Sequence, residues 1–257
     1  MSHTCKNCGH RFKWNFCNQC GQTANTLEIN FQNTILELQV SLIQLDKGFF
    51  YTTRELLLRP GKTIRDYLMG KRVKHFKPFA YVLVLSTIYA LITELTDRSN
   101  FLTDFLEGFY NGTSDEAEKS DLGVIGDIFL WMTSHYAYTS LLIIPLISLA
   151  SFLCFYRQGY NYFQHLVLNS YLAGLRTVFY LLVLILTSFS ENQSLIDTID
   201  LLKVFLGIIL TFWTYDRFFH TLSAWKKIGL TLLHYHLIIL ILLVLMVVIA
   251  LFTKLTT

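Results

Sequence analysis

The stretch IGLTLLHYHLIILILLVLMVVIALF, residues 228–252, decides the fold. It holds 25 residues without one Asp, Glu, Lys or Arg, and about 20 apolar residues suffice for a helix to cross a bilayer core of roughly 30 Å. Towards the amino terminus, four more apolar stretches lie at about 78–96, 136–156, 166–188 and 201–215. The last of these reaches a spanning length only if Ile199, or Phe218 and Phe219, extend it. Composition agrees: 53% of the 257 residues are hydrophobic and 15% are charged, with a mean hydropathy of +0.44, whereas soluble domains carry about 25% charged residues. A water-soluble globule is excluded. The expected fold class is an all-α polytopic membrane protein with about five transmembrane helices, preceded by a small N-terminal zinc ribbon.

Charge sets the orientation. The formal net charge is only +3, yet residues 1–77 hold 12 Lys/Arg against 5 Asp/Glu. The segment 97–135 has 2 basic and 8 acidic residues, and 189–200 has Glu191, Asp197 and Asp200 without a base. By contrast, 157–165 contributes Arg157, and 216–227 contributes Arg217, Lys226 and Lys227 against Asp216. With the amino terminus inside, cytosolic segments hold 16 Lys/Arg and outer segments 3, as the positive-inside rule requires. The polar first thirty residues contain no apolar core of a secretory signal. In the acidic outer segment, Phe101, Phe105 and Phe109 fall four apart with Leu102 and Leu106 beside them, which predicts a helix on the outer membrane surface. The Asn111-Gly112-Thr113 sequon in the polar stretch after it is a weak signal.

The division expected is a zinc ribbon over 1–24, cytosolic amphipathic and basic juxtamembrane helices over 25–77, and a helical transmembrane domain over 78–257. The ribbon rests on two repeats, CKNCG at 5–9 and CNQCG at 17–21. Each Cys-x-x-Cys-Gly turns two thiolates the same way, and the glycine permits the turn. Two facing knuckles make a tetrahedral site of Cys5, Cys8, Cys17 and Cys20. Four thiolates leave no position for an activated water, so the cofactor expected is structural Zn2+. Disulfides need an oxidising compartment, which the charge pattern excludes for this end. A thioredoxin-like dithiol needs a βαβ context that this polar tail lacks. So short a segment has almost no core, and zinc binding at about 10 to 16 kcal/mol supplies its folding energy. Lys6, Arg11, Lys13 and Trp14 could serve nucleic acid, but the bases are few, so the partner expected at the ribbon is a protein.

From 27 to 45, Phe31, Ile35, Leu38, Leu42 and Leu45 form a heptad seam. Packing on the membrane surface or the bundle is favoured over a short dimerising coil. Thr53 is placed to cap a helix over Arg54 to Leu58, Pro60-Gly61 forces a break, and Lys62 to Met69 resumes as helix before Gly70. Arg59, Lys62, Arg65, Lys71, Arg72, Lys74 and Lys77 crowd beneath the first span. They either meet the anionic inner leaflet, at about 1 kcal/mol per basic residue, or only set topology. Gly61-Lys62-Thr63 is no phosphate loop, because the required earlier glycine position is Leu56.

These residues, taken in order, carry a resemblance. Cys20-Gly21-Gln22 closing the double knuckle, Thr53 and the leucine run to Pro60-Gly61, then Tyr67, Gly70-Lys71-Arg72 and Pro78 opening the first span, resemble a family of uncharacterised bacterial inner-membrane proteins classed as a domain of unknown function. The likeness covers roughly residues 1–95. It implies a zinc-ribbon head on a helical membrane domain in a bacterial inner (cytoplasmic) membrane; the charge pattern over five spans puts the expected amino terminus in the cytosol and the carboxyl terminus in the periplasm. The resemblance implies no activity.

Within the spans, Glu94, Arg176, His234 and His236 are the ionisable candidates, because an unpaired charge at bilayer depth costs about 2.5 to 3.5 kcal/mol. A third span beginning near Tyr171 would let Arg176 snorkel to the interface. His234 and His236, two apart, face different sides of a helix. No paired carboxylates, nucleophile elbow or metal-binding histidine box is present, so enzyme activity is disfavoured. The function expected is that of a membrane-anchored zinc-ribbon protein, a non-enzymatic binding or recruitment module at the cytosolic face. The alternative is a small transporter or lipid-handling protein with a regulatory ribbon.

Overall fold

The computed structural model describes residues 2–26, 28–34, 48–96, 98 and 123–256. Most of the heptad seam, the phenylalanine stripe and the sequon lie outside the described residues. The amino terminus forms a two-stranded antiparallel ribbon, β1 His3–Thr4 with β2 Arg11–Phe12. Among the described residues, a helical turn at 31–34 is followed by eight helices: α1 Phe49–Leu58, α2 Pro60–Leu68, α3 Pro78–Leu95, α4 Gly123–Ser134, α5 Tyr136–Phe155, α6 Tyr162–Thr187, α7 Gln193–Phe218 and α8 Ala224–Thr256. The protein is thus all-α outside its small cysteine-bearing head.

Four segments are long and apolar enough to cross a membrane among the described residues: Pro78–Leu95, Tyr136–Gln158, Tyr162–Thr187 and Ala224–Ile249. The stretch 201–215 lies inside α7, which also contains Asp197, Asp200, Lys203, Asp216 and Arg217. α7 nevertheless runs the length of the bundle. Its Tyr215, Thr211 and Gly207 meet Asn169, Arg176 and Tyr180 of α6 in reversed order, so the two helices are antiparallel neighbours. Half of the α6 window is buried against 6% of the α8 window, which makes α6 the central post and α8 a peripheral one.

Local sequence sets the helix ends. Pro78 and Pro60 open α3 and α2, at the position where proline's missing N–H costs nothing. Asn161 caps α6 in a reciprocal box with Gln164. Two expectations change. Thr53 is not a cap: α1 begins at Phe49, and the Thr53 hydroxyl donates to the Phe49 carbonyl at 3.0 Å and lies 2.9 Å from the Tyr81 hydroxyl. The aromatic run Phe49-Phe50-Tyr51 extends the apolar pattern one turn earlier, and a threonine inside a helix bonds back to the preceding turn. α4 occupies 123–134, within the segment read as an outer loop, because Val124, Ile125, Phe129, Leu130 and Trp131 give that stretch an apolar helix of its own.

The short helices belong to the core. Leu56, Ile64, Tyr67 and Phe76 are buried in one cluster with Tyr81, Leu168, Tyr171, Tyr215 and Phe218. The Phe76 backbone is held from both sides: its N–H donates to Thr52 at 2.7 Å and its carbonyl accepts from the Tyr171 hydroxyl at 2.6 Å. α2 lies across the end of α7 at Gly61, where a Cβ would stand 2.2 Å from the Arg217 carbonyl carbon and 2.4 Å from the Phe218 nitrogen. Backbone cannot yield as a side chain does, so Gly61→Ala forces the helices apart at a cost of roughly 1 to 3 kcal/mol. Thermal unfolding in detergent should show a lowered midpoint, and an unchanged midpoint would refute the contact.

Candidate functional site

The head is built from two copies of one turn. The Cys5 N–H donates to the His10 carbonyl and the Gly9 N–H to the Cys5 carbonyl, both at 2.9 Å. Twelve residues on, the Cys17 N–H donates to Gln22 and the Gly21 N–H to Cys17, both at 2.8 Å. Gly9 and Gly21 adopt φ of 76° and 77°, the left-handed region that glycine enters without steric cost. The Thr4–Arg11 ladder pair is matched by a Phe16–Thr23 bridge. The spacing of the two motifs therefore encodes a pseudo-twofold, which turns both sulfur pairs towards one centre.

The four sulfurs all lie within 4.8 Å of one another, with Cys5 to Cys20 at 3.5 Å and Cys8 to Cys17 at 3.6 Å. An ion with four metal–sulfur bonds of about 2.3 Å in a tetrahedron sets its sulfurs about 3.8 Å apart. The residues therefore fit a metal ion. Cys5 and Cys17 are buried, Cys20 is partly buried and Cys8 is exposed. Burial works against the Cys20 thiolate, but hydrogen bonds from Asn7 and the Gln22 backbone, with the Cys5 and Cys8 sulfurs, bring its pKa down to about 6. Cys8 moves the other way, up to about 12: the His10 backbone lowers it, and loss of hydration and the three other sulfurs outweigh that. A metal ion takes all four sulfurs as thiolates, so its binding releases the protons they carry.

The ribbon is seated on the juxtamembrane loop by Gln22. Its side chain is 4% exposed, and its Oε1 accepts from the backbone N–H groups of Arg72 at 3.1 Å and Val73 at 2.9 Å. Beside it, a Cβ on Gly70 would stand 2.8 Å from Lys6 and 3.2 Å from Thr26. Cys20-Gly21-Gln22 and Gly70-Lys71-Arg72, distant in sequence, are thus two halves of one joint. Nothing in a single sequence links them, so sequence reasoning missed the role of Gln22.

The basic residues are mostly occupied. Arg59 bonds Glu55 through its Nε at 2.6 Å. Lys62 and Lys71 both reach Asp66 at 2.8 Å. Arg65 donates to the carbonyls of Arg217 and of Phe218, the latter at 2.9 Å. Arg72 lies 5.1 Å over the Tyr67 ring and Lys74 lies 6.0 Å over the Tyr51 ring. Lys77 caps α3. Neither Lys74 nor Lys77 has an ion pair among the described residues.

The intramembrane candidates divide. Glu94 and His236 are exposed on the bundle surface, and the His236 Nδ1 bonds the Leu232 carbonyl at 2.8 Å. Arg176 and His234 face inward. α6 starts at Tyr162, not near Tyr171, which leaves Arg176 about 21 Å from that end at 1.5 Å per residue. His234 is 1% exposed and lies 3.4 Å from the Tyr215 hydroxyl. A network unremarked in the sequence joins it: the Tyr215 hydroxyl donates to Asn169 at 2.8 Å, Asn169 donates to Ser151 at 2.8 Å, and Ser151 lies 2.9 Å from the His165 Nδ1. The i, i+4 spacing of His165 and Asn169 in an apolar run was the available signal. Ser151 and His165 are fully buried, which denies a substrate access to that hydroxyl.

Three outcomes are expected. Mass spectrometry of the purified chain should find about one ion per chain, lost in Cys5→Ser or Cys17→Ser. Gln22→Ala should keep the ion but speed amide exchange at 70–73, and unchanged exchange would refute the joint. Burial pushes the Asp66 carboxyl up, and the hydrogen bonds from Lys62 and Lys71 outweigh it, so its pKa is lowered. That stabilisation is present above the ordinary carboxylate value of about 3.9 and is lost as pH falls below it. Since both lysines are more than a third exposed, the effect is about 0.5 to 1 kcal/mol. Asp66→Asn should remove that share of the acid dependence of unfolding.

Among known proteins, no curated relative and no solved structure matches the chain. Over residues 46–90, which span α1, α2 and the start of α3 with the Gly61 crossing and the Gly70 turn, the chain is similar to the family described as Protein of unknown function (DUF3667).

Proposed function

We propose that this chain holds a structural-zinc ribbon at the cytosolic face of a bacterial inner membrane, as a non-enzymatic docking module for a protein partner. One observation carries the reading: the ribbon is fixed to the juxtamembrane loop through Gln22, while Trp14 and Phe16 on it are 74% and 60% exposed. Large aromatics on a rigid support supply contact area at little entropic cost, and tryptophan is enriched among residues that dominate binding energy. The closed four-sulfur cluster supports a structural ion, and zinc is the ion that four thiolates favour. The excess of Lys/Arg in 1–77 supports the cytosolic orientation. Lys74 and Lys77, clear of ion pairs among the described residues, are the best placed of the basic residues for anionic lipid.

Proximity labelling from the full-length chain in cells tests the proposal. Trp14→Ala with Phe16→Ala should deplete the labelled neighbours at least tenfold, as loss of two aromatic anchors worth about 2 kcal/mol each predicts, while metal content stays at the wild-type level. An identical set of neighbours in wild type and variant would sink the docking role.

A further inference from the structure

The seam where α6, α7 and α8 meet collects polar groups that the fold leaves incomplete. Six side-chain atoms of the described residues are buried without a hydrogen-bond partner, and four of them, on His165, Arg176, Thr214 and His234, belong to these three helices. Buried polar groups are almost always paired, so an unpaired one calls for a missing partner; His165 bonds Ser151 of α5 about 16 Å along α6 from Arg176, whereas Thr214 and His234 lie on the helices that bring Thr211 and Tyr235 to Arg176. Arg176 is the centre of the problem. It lies about 21 Å from one end of α6 and about 16 Å from the other at 1.5 Å per residue, near the middle of the helix.

Its guanidinium donates to the Thr211 hydroxyl, and to the Tyr235 hydroxyl at 3.3 Å, while its Nε has no partner. Guanidinium stays protonated in proteins, and no carboxylate among the described residues neutralises it. α6 and α8 contain no Asp or Glu; in α7, Asp216 is engaged by Lys227 at the ribbon end, and Asp197 and Asp200 stand about 10 Å or more along the helix from Gly207 at 1.5 Å per residue. Gly207 of α7 faces the Arg176 Nε and the Tyr180 hydroxyl, where a Cβ would lie 3.9 Å from the former and 2.7 Å from the latter. The wall opposite the unpaired N–H is therefore the smallest residue available.

We infer that this seam binds an oxyanion, a carboxylate or phosphate group, with Arg176 as its charge partner and donor, while Tyr235, which donates to Thr211 at 2.7 Å, and Thr211, which donates to the Gly207 carbonyl at 2.8 Å, hold the guanidinium in place. The planar guanidinium matches such groups through parallel N–H donors, and a charge left unpaired at this depth is costly. The ligand is a free anion or the head of an amphiphile reaching the seam beside α8, whose window is only 6% buried. This site stands apart from the ribbon and from its docking role.

The test uses the full-length chain in micelles of an uncharged maltoside detergent, which bring neither carboxylate nor phosphate. Inorganic phosphate, dodecyl phosphate and dodecanoate are the probes, dodecanol is the control, and calorimetry with thermal unfolding is the readout. At least one anionic probe should bind saturably and raise the unfolding midpoint, with no response to dodecanol. A response to inorganic phosphate assigns a ligand from water, and a response confined to the amphiphiles assigns one from the lipid phase. Arg176→Gln should abolish the response. Tyr235→Phe, which keeps the packing, should weaken binding about tenfold or more, because it removes a hydroxyl that accepts from Arg176 and holds the guanidinium in place. No saturable binding in the wild type, or equal binding in Arg176→Gln, overturns the site. Should Arg176→Gln fail to fold, unchanged affinity in Tyr235→Phe overturns it.

Discussion

A helix leaves its last carbonyls without donors inside its own backbone, and where another helix packs across that end the packed element must supply them. At the end of α7 this need is met by Arg65, whose guanidinium reaches the carbonyls of Arg217 and Phe218. Much of the architecture follows from that bond. To bring Arg65 there, α2 must lie across the end of α7, which requires Gly61 at the crossing and a new helix start at Pro60. Once α2 is placed, Ile64 and Tyr67 enter the core beside Leu168 and Tyr171. The loop after α2 then presents the N–H groups of Arg72 and Val73 to the ribbon.

Four of the five apolar runs lie on helices long and apolar enough to cross a membrane, legible in the sequence because hydropathy over twenty residues is a bulk property, while the run 201–215 lies inside the more polar α7. The ends of α3, α5, α6 and α8 fall within a few residues of the apolar runs 78–96, 136–156, 166–188 and 228–252. The sulfur cluster was legible for a different reason: the two Cys-x-x-Cys-Gly turns are local, and each folds on its own hydrogen bonds. What a single chain hides is pairing at a distance. The basic residues from Arg59 to Lys71 read as one cationic surface, yet Glu55 and Asp66, on the same short helices, take up three of them. Counting charges cannot reveal which side chains turn towards one another.

Polar residues inside the bundle were legible in type but not in arrangement. Arg176 and His234 stand out in apolar runs, as do Glu94 and His236. Burial separates the pairs, since the first two face other helices and the second two face outward. Ser151, Asn169 and Tyr215 attracted no notice in the sequence because each is unexceptional alone; their hydrogen bonds connect α5, α6 and α7. In a lipid-facing protein such contacts specify which helices adjoin, because apolar surface gains nothing from leaving lipid for protein.

Gln22 follows Cys20 by two residues and also holds the loop that leads into α3. Whatever free energy an ion spends in ordering 17–22 is therefore shared with 70–73, and thermodynamic reciprocity makes the exchange run both ways. An event that loosens that loop would therefore weaken the hold on an ion by the same factor.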